Sequence, residues 1–570
     1  MRNLPSRPEP EPMRSRVPVV AAALLVIVLG GVLPIVVARH YGALGIPRSD
    51  DWSYLVTQFR WTGGGGLGFN HWVTMTLIGQ LLLSLPIAKA FPGSITALQL
   101  FTAAFGVGGL AATVILVRRC GGAWTAALLV AASIGLSPLW GPLAASYMTD
   151  VPALTVSVIA LACGTEALRR DAGRDPWLLA TLLAGVIGFS IRQYAAIPAV
   201  TVFGIAIWEA VTTGRRRDAI RSAALLGAFL LASLMITVWW STVPAGRAVS
   251  PQLPDPHSLR VVAIKAAGFV RLGGLILAPL LAWCGIPSIV RRAWRASPRL
   301  TGAVGIGGAL LLATTAAVIR DDLFVGNYVV HNGVLSDIVM PGPRPDVLPA
   351  ALWFVVVAAA SAMGVVLLVA AVPFLTDVGR RLRDRDLAIE YPARAALIGT
   401  VLAYAAVYAI ATACGIQMYD RYILPMLPPL AALLATSPRP VTVPVPARSR
   451  SGAVVMAVVA LAGVAFVGLA FTLDSASFDG ARWRAAVRAT GHGWGPRQIG
   501  GGFEWVDFHA RNKVTAAMAR DHPVCVTVHV NPRVAPGRVV TVAVSHAPTR
   551  PDLRIVAYRT GRRCVPEGHR

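Results

Sequence analysis

The stretch "PVVAAALLVIVLGGVLPIVVARHYGALGIPRSDDW", residues 18 to 52, decides the fold. An uncharged run from Pro18 to Ala38 is followed shortly by two adjacent carboxylates, Asp50 and Asp51, with Trp52 and Tyr54 directly behind them. Crossing a hydrocarbon core as a helix takes about 20 apolar residues, the length of this run. The run exceeds the apolar core of a secretory signal, about 7–15 residues, so the sequence predicts an uncleaved first span. The polar, Pro-rich tail over 1–17 is expected to be disordered and cytoplasmic. Two carboxylates a few residues beyond the lipid therefore stand in the first outer loop.

The same apolar pattern recurs along the chain. The 570 residues are 55% hydrophobic and 14% charged, which makes an all-α polytopic membrane protein the expected class. Candidate spans fall near 18–38, 94–117, 122–140, 151–168, 177–191, 195–212, 222–241, 267–290, 302–319, 349–376, 394–414, 421–437 and 452–473, about thirteen crossings. The net charge of +25 would suggest nucleic acid in a soluble protein, but the arginines sit in short clusters between spans. No basic, aromatic-bearing soluble domain accompanies them, so no nucleic-acid partner is expected. Clusters at Arg14 and Arg16, Arg118 and Arg119, Arg169 to Arg174, Arg215 to Arg217, Arg291 to Arg295, Arg380 to Arg385 and Arg439 to Arg450 fall at alternate ends of the spans. All can face the cytoplasm of a plasma-membrane protein at once, with membrane lipids around the bundle.

An odd number of crossings places the amino terminus inside and residues 474–570 outside. That segment carries "VCVTVHV", "RVVTVAVS" and "RIVAYRT" after a helical stretch "DGARWRAAVRAT", the pattern of a small extracytoplasmic α/β domain. The first outer loop, 39–93, is long and marginally apolar, and reads as helices lying at the interface, where Trp and Tyr prefer to sit. Cys120, Cys163, Cys284 and Cys414 lie in or beside spans and read as packing residues. Cys525 and Cys564, both in the outer segment, are expected to form a disulfide.

With that topology, the outer face gathers Asp50 and Asp51, Asp150 in "AASYMTDVPAL", Arg192, Gln193 and Tyr194 in "SIRQYAAIP", Asp321 and Asp322 in "RDDLFVGNYVVHN", and Asp420, Arg421 and Tyr422 in "GIQMYDRYILPMLPPL". Charges so near membrane depth usually face a cavity or a partner. Each also has a plainer reading. Ser49-Asp50 can cap a helix starting at Asp51, Asp150 can cap the span it opens, and Arg192 and Arg421 can snorkel to the interface.

"SDDW" beyond a first span, "YMTDVPAL", "RQYAAIP", "YDRYILPMLPPLAALL" and "IGGGFEWVDFH" together resemble the integral-membrane GT-C glycosyltransferases, in the branch of protein O-mannosyltransferases and the lipid A aminoarabinose transferase. The resemblance spans nearly the whole chain and implies a GT-C-like transmembrane domain over 18–473. It also implies a sugar donor carried on a polyprenyl phosphate, and a cell-envelope lipid, polysaccharide or protein acceptor at the outer face. By that match Asp50 is the general base, Asp51 stands beside it where the family usually has Glu, and Asp150 is the second acidic site. Inverting transfer needs a carboxylate to take the acceptor proton, and the anionic leaving phosphate needs cationic stabilisation. Arg192 and Arg421, with Gln193 and Tyr422, are the expected donor-binding residues.

Some GT-C enzymes bind a divalent cation through acidic loop residues. Here no HExxH or CxxC cluster occurs, His71, His257 and His331 are scattered, and neither cofactor nor tightly bound metal is expected. A transporter or flippase of envelope precursors is the alternative from another class. Transporters, however, place such residues near the midplane between related halves, and none repeat here.

Overall fold

The computed structural model describes residues 17–570 apart from 71, 171, 244–251, 320–322, 335–341, 384–390, 437–446, 510–523, 561–565 and 567–570. His71, Asp321, Asp322 and Cys564 therefore lie outside the described residues. Among those described, ten helices are long and apolar enough to cross a membrane, from Val17–Tyr41 near the amino terminus to Ser451–Gly491. The protein is a multi-pass membrane protein with a small carboxy-terminal sheet.

Three expected spans fall on shorter elements. The segment near 122–140 forms a helix of 12 residues, Trp124–Gly135, and Asp175–Ile191 has 17. At about 1.5 Å of rise per residue, 12 residues reach about 18 Å of a hydrocarbon core about 30 Å thick. The segment near 421–437 divides into a 3₁₀ turn, Asp420–Met426, and a helix of 9 residues, Leu427–Ala435. Pro425, Pro428 and Pro429 explain the division, because each removes an amide donor and resists α-helical continuation.

Close helix contacts use small residues. A Cβ on Gly274 would lie 2.3 Å from the backbone nitrogen of Gly364, so helices Pro256–Cys284 and Ala350–Arg383 touch backbone to backbone there. Lipid tails are as apolar as leucine, so association inside a membrane depends on such close packing. The Asp150–Arg169 helix lies deepest, with most of its span buried against neighbours. It is the axis around which the site is assembled.

The first loop holds two helices, Asp51–Thr62 and Ile78–Ala90. The helix that carries the last expected span continues past residue 473: it runs unbroken from Ala447 to Gly491, across the boundary expected at 474. A Cβ on Gly480 would meet the carbonyl oxygen of Tyr41 at 2.0 Å, so this helix lies directly on the turn leading to Asp50. Beyond it, strands β1 (Ile499–Gly500), β2 (Val526–Val530), β3 (Val539–Ala547) and β4 (Arg550–Arg559) form a sheet in the order β1-β2-β4-β3. β1 pairs parallel to β2, and the other pairs are antiparallel. Val526, Val528 and Val530 point inward at every second residue and pack with Trp483, Ala485 and Trp505. Cys525, just before β2, is disulfide-bonded, and Cys120, Cys163 and Cys414 are free.

Candidate active site

Four charged side chains from separate helix ends meet. Asp50 immediately precedes the Asp51–Thr62 helix, but its side chain makes no capping bond. Its Oδ1 instead accepts from Trp72 Nε1 at 3.0 Å and its Oδ2 from Arg421 Nη2 at 2.9 Å. Asp150 opens its helix fully buried, with Oδ1 3.1 Å from Arg192 Nη1 and 3.5 Å from Arg421 Nε. Arg421 thus bridges the two carboxylates, while Arg192 approaches Asp150 from the other side. The capping and snorkelling readings give way to a two-by-two ion cluster.

Breaks in helices deliver both arginines. The Asp175–Ile191 helix ends where Arg192 turns extended, at φ −148 and ψ 134, before a 3₁₀ turn that leads into Ile197–Thr212. Arg192 Nε donates to Thr149 Oγ1, fixing the guanidinium beside the start of the Asp150 helix. Arg421 sits in the 3₁₀ turn that the prolines impose. Asp420 pins that turn: its Oδ2 accepts from the backbone N–H groups of Tyr328 and Val329, both at 2.7 Å. Tyrosines wall the cluster, with Arg421 4.9 Å from the Tyr419 ring and 5.8 Å from that of Tyr422. Arg192 faces Tyr194 and Tyr422 at 5.6 and 5.5 Å.

Burying two guanidiniums and two carboxylates is tolerable because their charges cancel. Hydrogen bonding is nevertheless incomplete. Among the described residues, Arg192 Nη2, Arg421 Nε and Nη1, and both oxygens of Asp150 are buried without a hydrogen-bond partner. The 3.1 and 3.5 Å contacts are ion pairs that lack hydrogen-bond geometry. An unmade bond on a buried polar group costs about 1–3 kcal/mol, so the cluster holds donors that an incoming anion can use. Asp50 differs from Asp150 in reach: its side chain keeps 19% of its surface exposed against 0%.

Two sequence-predicted residues stand apart. Asp51 is buried, and its oxygens accept the backbone N–H groups of Arg48 and Tyr147. Burial pushes its carboxyl well above the ordinary carboxylate range, against the lowering effect of those two N–H groups. It tethers the loop to the segment before the Asp150 helix. Gln193 is exposed and does not join the cluster, although its neighbours Arg192 and Tyr194 do. The backbone reverses at Arg192, so adjacent side chains diverge.

Trp72 and Tyr328 are the residues that sequence reasoning missed. Trp72 lay unremarked in the loop read as interfacial helices, and Tyr328 lay in a stretch noted for its aspartates. Nothing in their spacing marks them, since both reach the site through loop geometry. Among the described residues, no group of three or more His, Cys, Asp or Glu gathers as a metal site.

Fold and site together define a polytopic membrane protein with a buried carboxylate–arginine cluster at its helix ends. No family model matches the sequence, and no curated protein matches it. Among solved structures the chain is similar to the lipid A aminoarabinose transferase ArnT from Cupriavidus metallidurans bound to undecaprenyl phosphate. That alignment covers 96% of this chain and 99% of ArnT, at 15% identity and a TM-score of 0.38. The apo state of the same protein aligns over 95% of this chain and 97% of its own, again at 15% identity and a TM-score of 0.38.

Proposed function

We propose that the chain is an integral-membrane glycosyltransferase that moves a sugar from a polyprenyl-phosphate donor to a cell-envelope acceptor at the outer face. The observation that carries the reading is Arg421, which bridges Asp50 and Asp150 while two of its nitrogens, Nε and Nη1, remain buried without a hydrogen bond. Guanidinium N–H groups are paired donors suited to phosphate oxygens. A donor phosphate takes the free N–H groups of Arg421 and Arg192. The acceptor hydroxyl approaches Asp50, the more exposed carboxylate, which takes its proton as the acceptor oxygen bonds to the anomeric carbon. The carbon–oxygen bond to the phosphate breaks, and polyprenyl phosphate leaves with the electron pair, held by the two arginines. Asp150 keeps both guanidiniums aimed at the site.

The test compares envelope glycolipids and glycoproteins of a deletion strain with those of its parent, then repeats transfer with the purified chain and the product so identified. Loss of one glycosylated product, restored by the wild-type chain and not by Asp50→Asn, supports the reading. Movement of a labelled envelope lipid across vesicles by a preparation that forms no glycosidic bond overturns it in favour of a transporter.

A further inference from the structure

The loop that carries Asp50 is held from the carboxy-terminal region by a closed ring of charges. Arg48 Nε lies 2.9 Å from Asp479 Oδ2, and Asp479 Oδ1 lies 3.3 Å from Arg482 Nη2. Arg482 grips Glu504 with both terminal nitrogens, at 2.6 and 3.0 Å. Glu504 Oε1 then accepts the backbone N–H of Ser49 at 3.3 Å, closing the ring on the residue next to Arg48. Arg482 and Glu504 are fully or almost fully buried. Ser49 sits at φ +55, a left-handed conformation that a residue with a Cβ adopts at a cost.

The same short helix, Phe503–His509, reaches Asp50 from a second side. Phe503 packs on Trp72 with ring centroids 5.9 Å apart, and Trp72 Nε1 donates to Asp50. Asp51, bonded to the N–H groups of Arg48 and Tyr147, anchors the far side of the loop. Asp50 is thus aimed by bonds on its flanking residues.

We propose that Glu504 is a positioning residue for Asp50, acting through the Ser49 N–H to hold the loop in its left-handed turn. This rests on the reading of Asp50 as the base in glycosyl transfer. A carboxylate is needed because both its oxygens accept from Arg482 while Oε1 also accepts the Ser49 N–H. Glutamine still offers one acceptor oxygen but loses the charge that binds Arg482, so the ring opens. The carboxy-terminal region is then part of the catalytic apparatus, and its detachment disarms the base without touching the arginines that bind the donor phosphate.

The test uses the full-length chain as wild type, Asp50→Asn, Glu504→Gln, Ser49→Gly, and Glu504→Gln with Ser49→Gly. Readouts are turnover into the product missing from the deletion strain, binding of undecaprenyl phosphate, and amide exchange over residues 45–52. Glu504→Gln is expected to lower kcat by about ten- to a hundred-fold, the weight of one charge-assisted hydrogen bond. Undecaprenyl phosphate binding stays at the wild-type level, and exchange over 45–52 speeds up. Glycine occupies positive φ freely, so adding Ser49→Gly is expected to recover about five-fold of the lost kcat. A merely structural ion pair would not be repaired by a glycine across the interface. Wild-type kcat in Glu504→Gln while Asp50→Asn is inactive overturns the positioning role. So does an equal loss of kcat with and without Ser49→Gly in protein that binds undecaprenyl phosphate normally. Wild-type turnover in folded Asp50→Asn overturns the reading of Asp50 as the base, and with it the role given to Glu504, whatever Glu504→Gln does.

Discussion

Asp50→Asn separates chemistry from architecture, because the structure bounds both effects. The two oxygens of Asp50 accept from Trp72 Nε1 and Arg421 Nη2. Asparagine offers one acceptor oxygen, so one of these donors must find another partner. If the oxygen stays on Arg421, the freed indole N–H belongs to Trp72, which is 40% exposed and can bond to water. Arg421 keeps Asp150 at 3.5 Å as its counter-charge. With Asp50 itself partly exposed, the stability cost comes to about 0.5–1.5 kcal/mol. Loss of a general base lowers turnover by about 10²–10⁴-fold, which is about 2.7–5.4 kcal/mol of barrier. The rate effect therefore exceeds the folding effect by a margin an assay can resolve.

The assay is transfer by purified variant and wild type at matched folded concentration, with undecaprenyl phosphate binding measured beside it. Binding is expected to hold or tighten, since removing a carboxylate frees part of Arg421. Folded Asp50→Asn protein with wild-type turnover refutes the assignment. The base would then be sought at Asp150, because both oxygens of Asp51 already accept backbone N–H groups.

The other expectations follow from the same geometry. Arg421→Lys keeps a charge but not the planar fork, and is expected to weaken undecaprenyl phosphate binding by about ten-fold; unchanged binding would remove Arg421 from the donor site. Asp51→Asn leaves one of its two backbone donors unpaired and is expected to lower stability by about 1–3 kcal/mol, read as reduced thermal stability. Burial holds the His509 ring below the ordinary histidine range, where it packs 4.2 Å from Trp505. Its depressed folded value means its contribution is complete above the unfolded value of about 6.5 and is lost as pH falls. Amide protection factors over 499–509, taken relative to the intrinsic exchange rate at each pH, should therefore fall on acidification, and less so in His509→Phe. Cysteines introduced at Gly65, Pro254, Gly342 and Gly537 should label from outside and those at Arg216 and Arg383 only from within; labelling of Gly537 from the cytoplasm would invert the topology.

Helical spans were legible because they need only length and the absence of charge, which composition displays directly. The carboxy-terminal strands were legible for a similar reason: alternation in "VCVTVHV" became the inward Val526, Val528 and Val530. What stayed hidden was where helices stop. "RYILPMLPPLAALL" is apolar enough to cross, yet its prolines make it a 3₁₀ turn and a short helix. That break matters more than the span count, since it turns Arg421 from an expected membrane-entry residue into the bridge between Asp50 and Asp150.

Residue type announced the site better than adjacency did. Asp50, Asp150, Arg192 and Arg421 were all singled out, because a charge at the lip of an apolar run needs a reason, and each turned out to be another's reason. Neighbours in sequence diverge instead: Asp51 and Gln193 are adjacent to cluster residues, yet one accepts the backbone N–H groups of Arg48 and Tyr147 while the other faces out. A helix start or a chain reversal sends consecutive side chains in divergent directions, so proximity along the chain carries little information about proximity of functional groups. Glu504 is the opposite case, hundreds of residues from Ser49 and bonded to it. Its position could be read only after the Ala447–Gly491 helix had been seen to carry Asp479 and Arg482 onto the Asp50 loop. A buried carboxylate that spends one oxygen on a strained backbone N–H is costly to keep for packing alone. That cost is the physical reason to look for its effect in the chemistry at Asp50 rather than in the stability of the sheet.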